Sequence, residues 1–326
     1  MSHLKLFLLL LTLLGCSPAG SGAVGPPAPR PGLSLARAAP LDVPAADIAV
    51  PGRLLAIKDG SIVQWSQGAF KPLVGGERYQ SPTFSPDGKR ISASIVGDNH
   101  SDLVLLDASG RRLVRLTDNW SKARVQDSVW ARHPTWSPDG RQIVYVSDAL
   151  GSQMSLWSVD PAGASRRQVF PAPGWGGVDW PSWSPDGRDL ALTVYDLSSS
   201  QLARVNLTLG SLNKLAEHVD GAYDPAWSPD GEHIAYVVRT AGRDDVWIMD
   251  SDGADPIRLT DVGTARAPAW SPGGDLIAFI AEQDRSFDLY VVQPNLSHPT
   301  LVSSSALKRL TTGQTLDAPS GVSWTR

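Results

Sequence analysis

Four tryptophans fall in two short stretches: Trp120 and Trp130 within 117–133, and Trp175 and Trp180 within 171–181. Polar and charged residues stand beside them, namely His133, Asp179, Asp220, Tyr223 and Asp224, with Arg78 and Tyr79 earlier in the chain. Large aromatic rings next to a few fixed polar groups suit the capture of a protein, peptide or glycan, because rings supply contact area and polar groups supply orientation. Acid–base work is the competing chemistry, and Asp179, Asp220 and Asp224 are the acids available for it. Nucleophilic catalysis of the serine-hydrolase type lacks its signature, since the sequence holds no Gly-x-Ser-x-Gly. The histidines show no His-x-x-x-His spacing and there is one cysteine, so neither a metal centre nor another cofactor is expected.

Composition narrows the field. The chain has 326 residues, 42% of them hydrophobic and 19% charged, which is enough to bury a large core. A formal charge of −4 argues against nucleic-acid binding through phosphate contacts. Glycine (30) and proline (26) are plentiful, so turns are frequent.

What must position the aromatic stretches is a repeat. Ser81-Pro-Thr-Phe-Ser-Pro-Asp-Gly recurs as His133-Pro-Thr-Trp-Ser-Pro-Asp-Gly, then from Trp180, Asp224 and Ala267, with a partial sixth copy from Ala318. The repeat aromatics are Phe84, Trp136, Trp183, Trp227, Trp270 and Trp324, at intervals of roughly 43 to 54 residues. Each Ser-Pro-Asp-Gly is a tight turn, with proline pre-setting φ and glycine free to take φ > 0. Three further short β-branched or alternating runs follow each turn, without helical periodicity. Four strands per repeat is the unit of a β-propeller blade. Residues 53–74 read as three strands with no turn motif ahead of them, and the chain stops two residues past Trp324. Pairing the last strand with these three closes an all-β, six-bladed propeller over 52–326 and removes open sheet edges.

The x-Pro-x-Trp-Ser-Pro-Asp-Gly strand, the Ile-Ala-Tyr-like strand and the Asp-x-Trp/Tyr strand resemble the WD-like repeat of the TolB propeller family. Phe84, Gly273 in the Asp place and the sixth copy's missing turn depart from the pattern. Family members such as TolB carry an α/β domain ahead of the propeller, for which residues 17–50 are too short. Propellers of this type also gate prolyl-oligopeptidase-type peptidases, which need a hydrolase domain that this sequence does not supply.

Trp136, Trp183, Trp227, Trp270 and Trp324 are expected between sheets, with Trp65, Trp157, Trp247 and Tyr290 on third strands. The residues just before each repeat proline, Ser81, His133, Trp180, Asp224, Ala267 and Ala318, are expected to ring the channel. The ligand site is expected at its mouth, from Arg78, Tyr79, Trp130, His133, Trp175, Trp180, Tyr223 and Asp224.

The N-terminus is an address. Leu6 to Leu14 is an apolar run broken only by Thr12, too short for a span of about 20 residues but suited to a secretory signal. Leu13-Leu14-Gly15-Cys16 resembles a bacterial lipobox, which implies cleavage after residue 15 and acylation of Cys16. Residues 16–51, rich in Pro, Ala and Gly, are expected to be a disordered tether. The organisation expected is therefore a signal peptide (1–15), a lipidated tether (16–51) and a propeller (52–326). The expected function is a non-catalytic, monomeric binding module of the cell envelope. It would be lipid-anchored on the outer side of the cytoplasmic membrane or at the periplasmic face of the outer membrane. Two alternatives stand beside it: a lyase or hydrolase acting on envelope polysaccharide at the channel mouth, and a scaffold without a ligand site.

Overall fold

The fold was analysed in a computed structural model that describes residues 48–121, 124, 127–151, 153–173, 176–196, 199–216, 218–296 and 307–326. The signal, most of the tether, Cys16 and Trp175 lie outside these residues. No helix among the described residues is long and apolar enough to cross a membrane.

Among the described residues, twenty-four strands form six four-stranded antiparallel sheets. β1 (Arg53–Lys58), β2 (Ser61–Ser66) and β3 (Ala69–Val74) open the chain. The first complete blade is β4 (Tyr79–Phe84), β5 (Arg90–Val96), β6 (Ser101–Asp107) and β7 (Arg112–Arg115). The second is β8 (Ala131–Trp136), β9 (Ile143–Ser147), β10 (Ser155–Val159) and β11 (Arg167–Phe170). The third runs through β12 (Val178–Trp183), β13 (Asp189–Tyr195), β14 (Ser200–Asn206) and β15 (Ser211–Ala216). β16 (Ala222–Trp227), β17 (His233–Thr240), β18 (Arg243–Asp250) and β19 (Ile257–Arg258) make the fourth. β20 (Arg266–Trp270), β21 (Ile277–Gln283), β22 (Ser286–Val292) and β23 (Lys308–Arg309) make the fifth. The last strand, β24 (Ser323–Thr325), completes the sixth by pairing with β1, Leu54 facing Trp324. The ring closes as the repeat count requires.

Six hydrophobic clusters hold neighbouring sheets together, and every repeat aromatic belongs to one of them. Trp65, Trp157, Trp247 and Tyr290 join the same clusters from third strands. The Ser-Pro-Asp-Gly turns form as the sequence dictates. In the first, the Gly88 amide donates to the Ser85 carbonyl at 2.8 Å, Gly88 takes φ +66°, and the Ser85 hydroxyl donates to Asp87 at 2.6 Å. Where Gly273 replaces the aspartate, Ser271 donates instead to Asp275 at 2.7 Å, so the turn keeps its carboxylate.

A buried aspartate on the third strand pins the chain as it leaves three blades. Asp102, Asp245 and Asp288 accept from Thr117, Thr260 and Thr311 on the segments that follow the fourth strands, and from backbone amides of those segments. Arg115, Arg258 and Arg309 pair with the same three carboxylates. In the second and third blades Ser155 and Gln201 take over this tie, accepting the amides of Ala172 and His218. Residues 48–51, read from sequence as the end of the tether, lie against the propeller. Ile48 is buried beside the fifth and sixth blades, its carbonyl accepting from the Lys308 ammonium at 2.6 Å.

Candidate functional site

Each of the first five inner strands breaks register at the residue before its proline. Ser81, His133, Trp180, Asp224 and Ala267 all take φ between +48° and +53° there. An L-residue pays on the order of 1 kcal/mol or more for this left-handed region, and a pre-proline residue is ordinarily extended. The bend repeats in five blades because it turns the strand edge at the channel wall. It brings Ser81, His133 and Trp180 onto the lining of a central cavity of about 750 Å³. All six blades contribute to that cavity, chiefly through the prolines and aromatics of the inner strands, and it ends among the Ser-Pro-Asp-Gly turns and Arg326.

His133 and Trp180 line its end away from these turns. Their rings stack at 4.1 Å between centroids, 22° from parallel. Trp180 reaches the sixth blade, where a β-carbon on Gly321 would lie 2.9 Å from a ring atom. Gly321 also has φ +77°, so both the backbone and the contact call for glycine there.

Beside the stacked pair lies a charged layer. The His133 imidazole hydrogen-bonds Asp179 through Nδ1. Burial works against ionised Asp179, yet the charge and hydrogen bond of His133, with Arg132, bring it below the ordinary carboxylate range. Asp224 is only 2% exposed and accepts from Arg266 Nε at 3.1 Å and from the Ala267 amide at 3.2 Å. Its Oδ1 has no partner among the described residues. Burial pushes the Asp224 carboxyl upward against the pull of Arg266. Arg266 lies 4.8 Å over the Tyr223 ring, while Arg239 donates to the Tyr223 hydroxyl at 3.3 Å and pairs with Asp244. Burial raises the Tyr195 hydroxyl, and the nearby Asp179 and Asp224 charges raise it further.

The expected site residues therefore separate. His133, Trp180, Tyr223 and Asp224 come together around the channel. Tyr79 packs in the core between the sixth and first blades, with its hydroxyl donating to Glu77 at 3.0 Å. Arg78 is exposed on the connection ahead of the first blade. Trp130 is half-buried, its amide donating to Asp148 at 2.8 Å, and Trp120 is exposed. Trp175 lies outside the described residues. Asp220, a candidate acid, accepts from the Ala241 amide at 2.7 Å, away from the partners of Asp179 and Asp224. Arg132, Tyr195, Arg239 and Arg266 were not anticipated. The first and last stand one place before the ring residues His133 and Ala267, a column that the repeat alignment exposes. One further group of metal-type donors, Asp230, Glu232 and His233, has atoms within 4.8 Å of one another on the exposed fourth-blade turn.

The TolB beta propeller domain family matches residues 133–320, more than half of the chain. The chain belongs to that family. Its structure is similar to TolB from Acinetobacter baumannii (TM-score 0.67, 19% identity), over 84% of this chain and 66% of that one, just under two thirds of its length. It is also similar to a protein assigned as TolB from Agrobacterium tumefaciens (TM-score 0.61, 16% identity), over 84% and 98% of the respective chains. A puromycin hydrolase shares the fold at TM-score 0.58 and 15% identity, over 85% of this chain and 48% of that enzyme. At such identities these likenesses speak for the propeller alone.

Proposed function

We propose that this TolB-family propeller is a non-catalytic binding module of the bacterial cell envelope. It is held to a membrane through acylated Cys16, and its channel receives a segment of an envelope protein, peptide or glycan. One observation carries the reading: a cavity of about 750 Å³, walled by all six blades and lined by the stacked His133–Trp180 pair. A concave, aromatic-walled site with a few polar groups at its end is the ordinary form of a binding pocket. The acids that catalysis would need are engaged separately, Asp179 by His133, Asp224 by Arg266 and Asp220 by a backbone amide. That dispersal supports binding over turnover.

The lipid anchor rests on the Leu13-Leu14-Gly15-Cys16 resemblance. Cys16→Ala is expected to leave an unprocessed precursor that no longer takes up labelled fatty acid. For binding, affinity capture from solubilised membranes is expected to recover one partner with the native protein. His133→Ala and Trp180→Ala are expected to lose it while shifting the melting temperature by only a few degrees. Capture retained alongside a large loss of stability would show these rings to be packing alone. Turnover of an envelope polysaccharide, abolished by Asp224→Asn, would contradict the non-catalytic reading.

A further inference from the structure

Four inner strands place polar side chains near their starts, at the end of the channel opposite the Ser-Pro-Asp-Gly turns. Arg132, Asp179, Tyr223 and Arg266 hold one place in the repeat, in β8, β12, β16 and β20, just before the residue of positive φ. None of the four lines the cavity of about 750 Å³.

Burial sorts the charges of this layer. Its carboxylates lie inside, Asp179 at 8% exposure, Asp224 at 2% and Asp244 at 9%. Each is engaged: Asp179 by His133, Asp224 by Arg266 and Asp244 by Arg239. The guanidiniums reach solvent instead, with the Arg266 side chain 26% exposed, Arg239 46% exposed and Arg132 half-buried. Arg266 uses only Nε on Asp224 and lies over the Tyr223 ring, so carboxylate and ring fix the guanidinium. Its two terminal nitrogens have no acceptor among the described residues. Arg132 makes no ion pair or side-chain hydrogen bond among them, and its buried Nε leaves the terminal nitrogens to meet a ligand. The half-exposed Tyr195 hydroxyl has no hydrogen-bond partner there either, and it feels the charges of both Arg132 and Arg266.

We infer that this mouth of the channel, away from the turns, binds an acidic peptide segment of the partner. The inference deepens the channel-binding reading and rests on it. An ionised carboxylate only accepts hydrogen bonds, and the side-chain groups that reach solvent here are guanidinium donors and one phenol. Sugar hydroxyls bring donors of their own, which need acceptors, and the carboxylates of this layer are buried. Asp or Glu side chains of the segment accept from the terminal N–H groups of Arg132 and Arg266 and from the Tyr195 hydroxyl. Such charge-assisted bonds are shorter and stronger than neutral ones, and a guanidinium held in place beforehand loses less freedom in making them.

Fluorescence anisotropy of labelled octaglutamate with the full-length protein at low ionic strength, against a Gly-Ser octapeptide, tests this. It needs no captured partner, so its failure and the failure of the channel-binding reading are separate results. Octaglutamate is expected to bind, with the neutral peptide about tenfold weaker or worse. Arg132→Gln is expected to lose about tenfold and Tyr195→Phe about threefold, as loss of a charged and of a neutral hydrogen-bonding group implies. Arg188→Gln, an exposed change on the third-blade turn, is expected to leave the titration as it was, which separates this mouth from general charge attraction. No binding of octaglutamate, equal affinity for the neutral peptide, displacement by a glucose octamer, or equal losses in Arg188→Gln and Arg132→Gln would each overturn the inference.

Discussion

Asp288 shows how single residues tie the blades together. It accepts from Ser286, Thr311 and Arg309 side chains and from the amides of Gly313 and Gln314. Burial opposes its ionisation, but these hydrogen bonds hold the carboxyl down at about 2. A carboxyl depressed below its unfolded value of about 3.9 stabilises the fold above that pH, and the contribution disappears as pH falls toward 2. Asp288→Asn is expected to cost about 2 kcal/mol near neutral pH and to flatten the acid limb of a urea-unfolding series between pH 2 and 5. Asp224 has the opposite sign. Its carboxyl is raised by burial, so its contribution falls as pH climbs above about 4, and Asp224→Asn is expected to remove that decline in the same series. Asp245 and Asp288 were legible in sequence through the Asp-x-Trp/Tyr strand, whereas Asp102, followed by Leu103 and Val104, falls outside that pattern. Asp224 was legible as a ring member. Its burial and its pairing with Arg266 were not, because both depend on which blade comes next in space.

At the level of the strand, the informative feature is the left-handed residue before each inner-strand proline. The repeat alignment finds this position, but nothing local announces a positive φ for tryptophan or alanine, and proline argues for an extended predecessor. It appears in the five blades whose inner strand carries the repeat proline, and Ala318 of the sixth blade does not share it. Trp180 therefore points at Gly321, a contact between residues far apart in sequence that no repeat pattern encodes. Gly321→Ala is expected to cost about 2 kcal/mol, from backbone strain and from collision with the indole. In a Trp180→Ala background the collision part of that cost is expected to vanish while the strain remains. Thermal or urea unfolding of both single variants and the double variant measures the difference as a coupling energy. Additive costs would show that the indole does not press on Gly321.

For the molecule as a whole, ring closure was the most legible property and the binding chemistry the least. Five near-identical turns, three orphan strands at the start and one at the end leave a six-bladed ring as the closed solution, and β24 pairs with β1 accordingly. The blades differ from one another mainly in their ring residues, connections and outer strands, where period and turn chemistry say little. That is why the charged layer around Arg266 emerges only from the assembled structure. Truncation after Gly321 removes the β1–β24 ladder and the Trp324 contact with Pro51. Hydrogen exchange is then expected to show β1–β3 losing protection first, with unfolding at a lower urea concentration. The central claim, that the channel is where this protein holds its partner, is tested most directly by photocrosslinking in living cells. A benzophenone amino acid would be placed at Asp87 or Arg326 on the cavity lining, and at exposed Leu209 away from it. One discrete adduct is expected from Asp87 and Arg326, absent from Leu209 and lost when Trp180→Ala is added. Equal labelling from Leu209, or no adduct from either channel position, would contradict it.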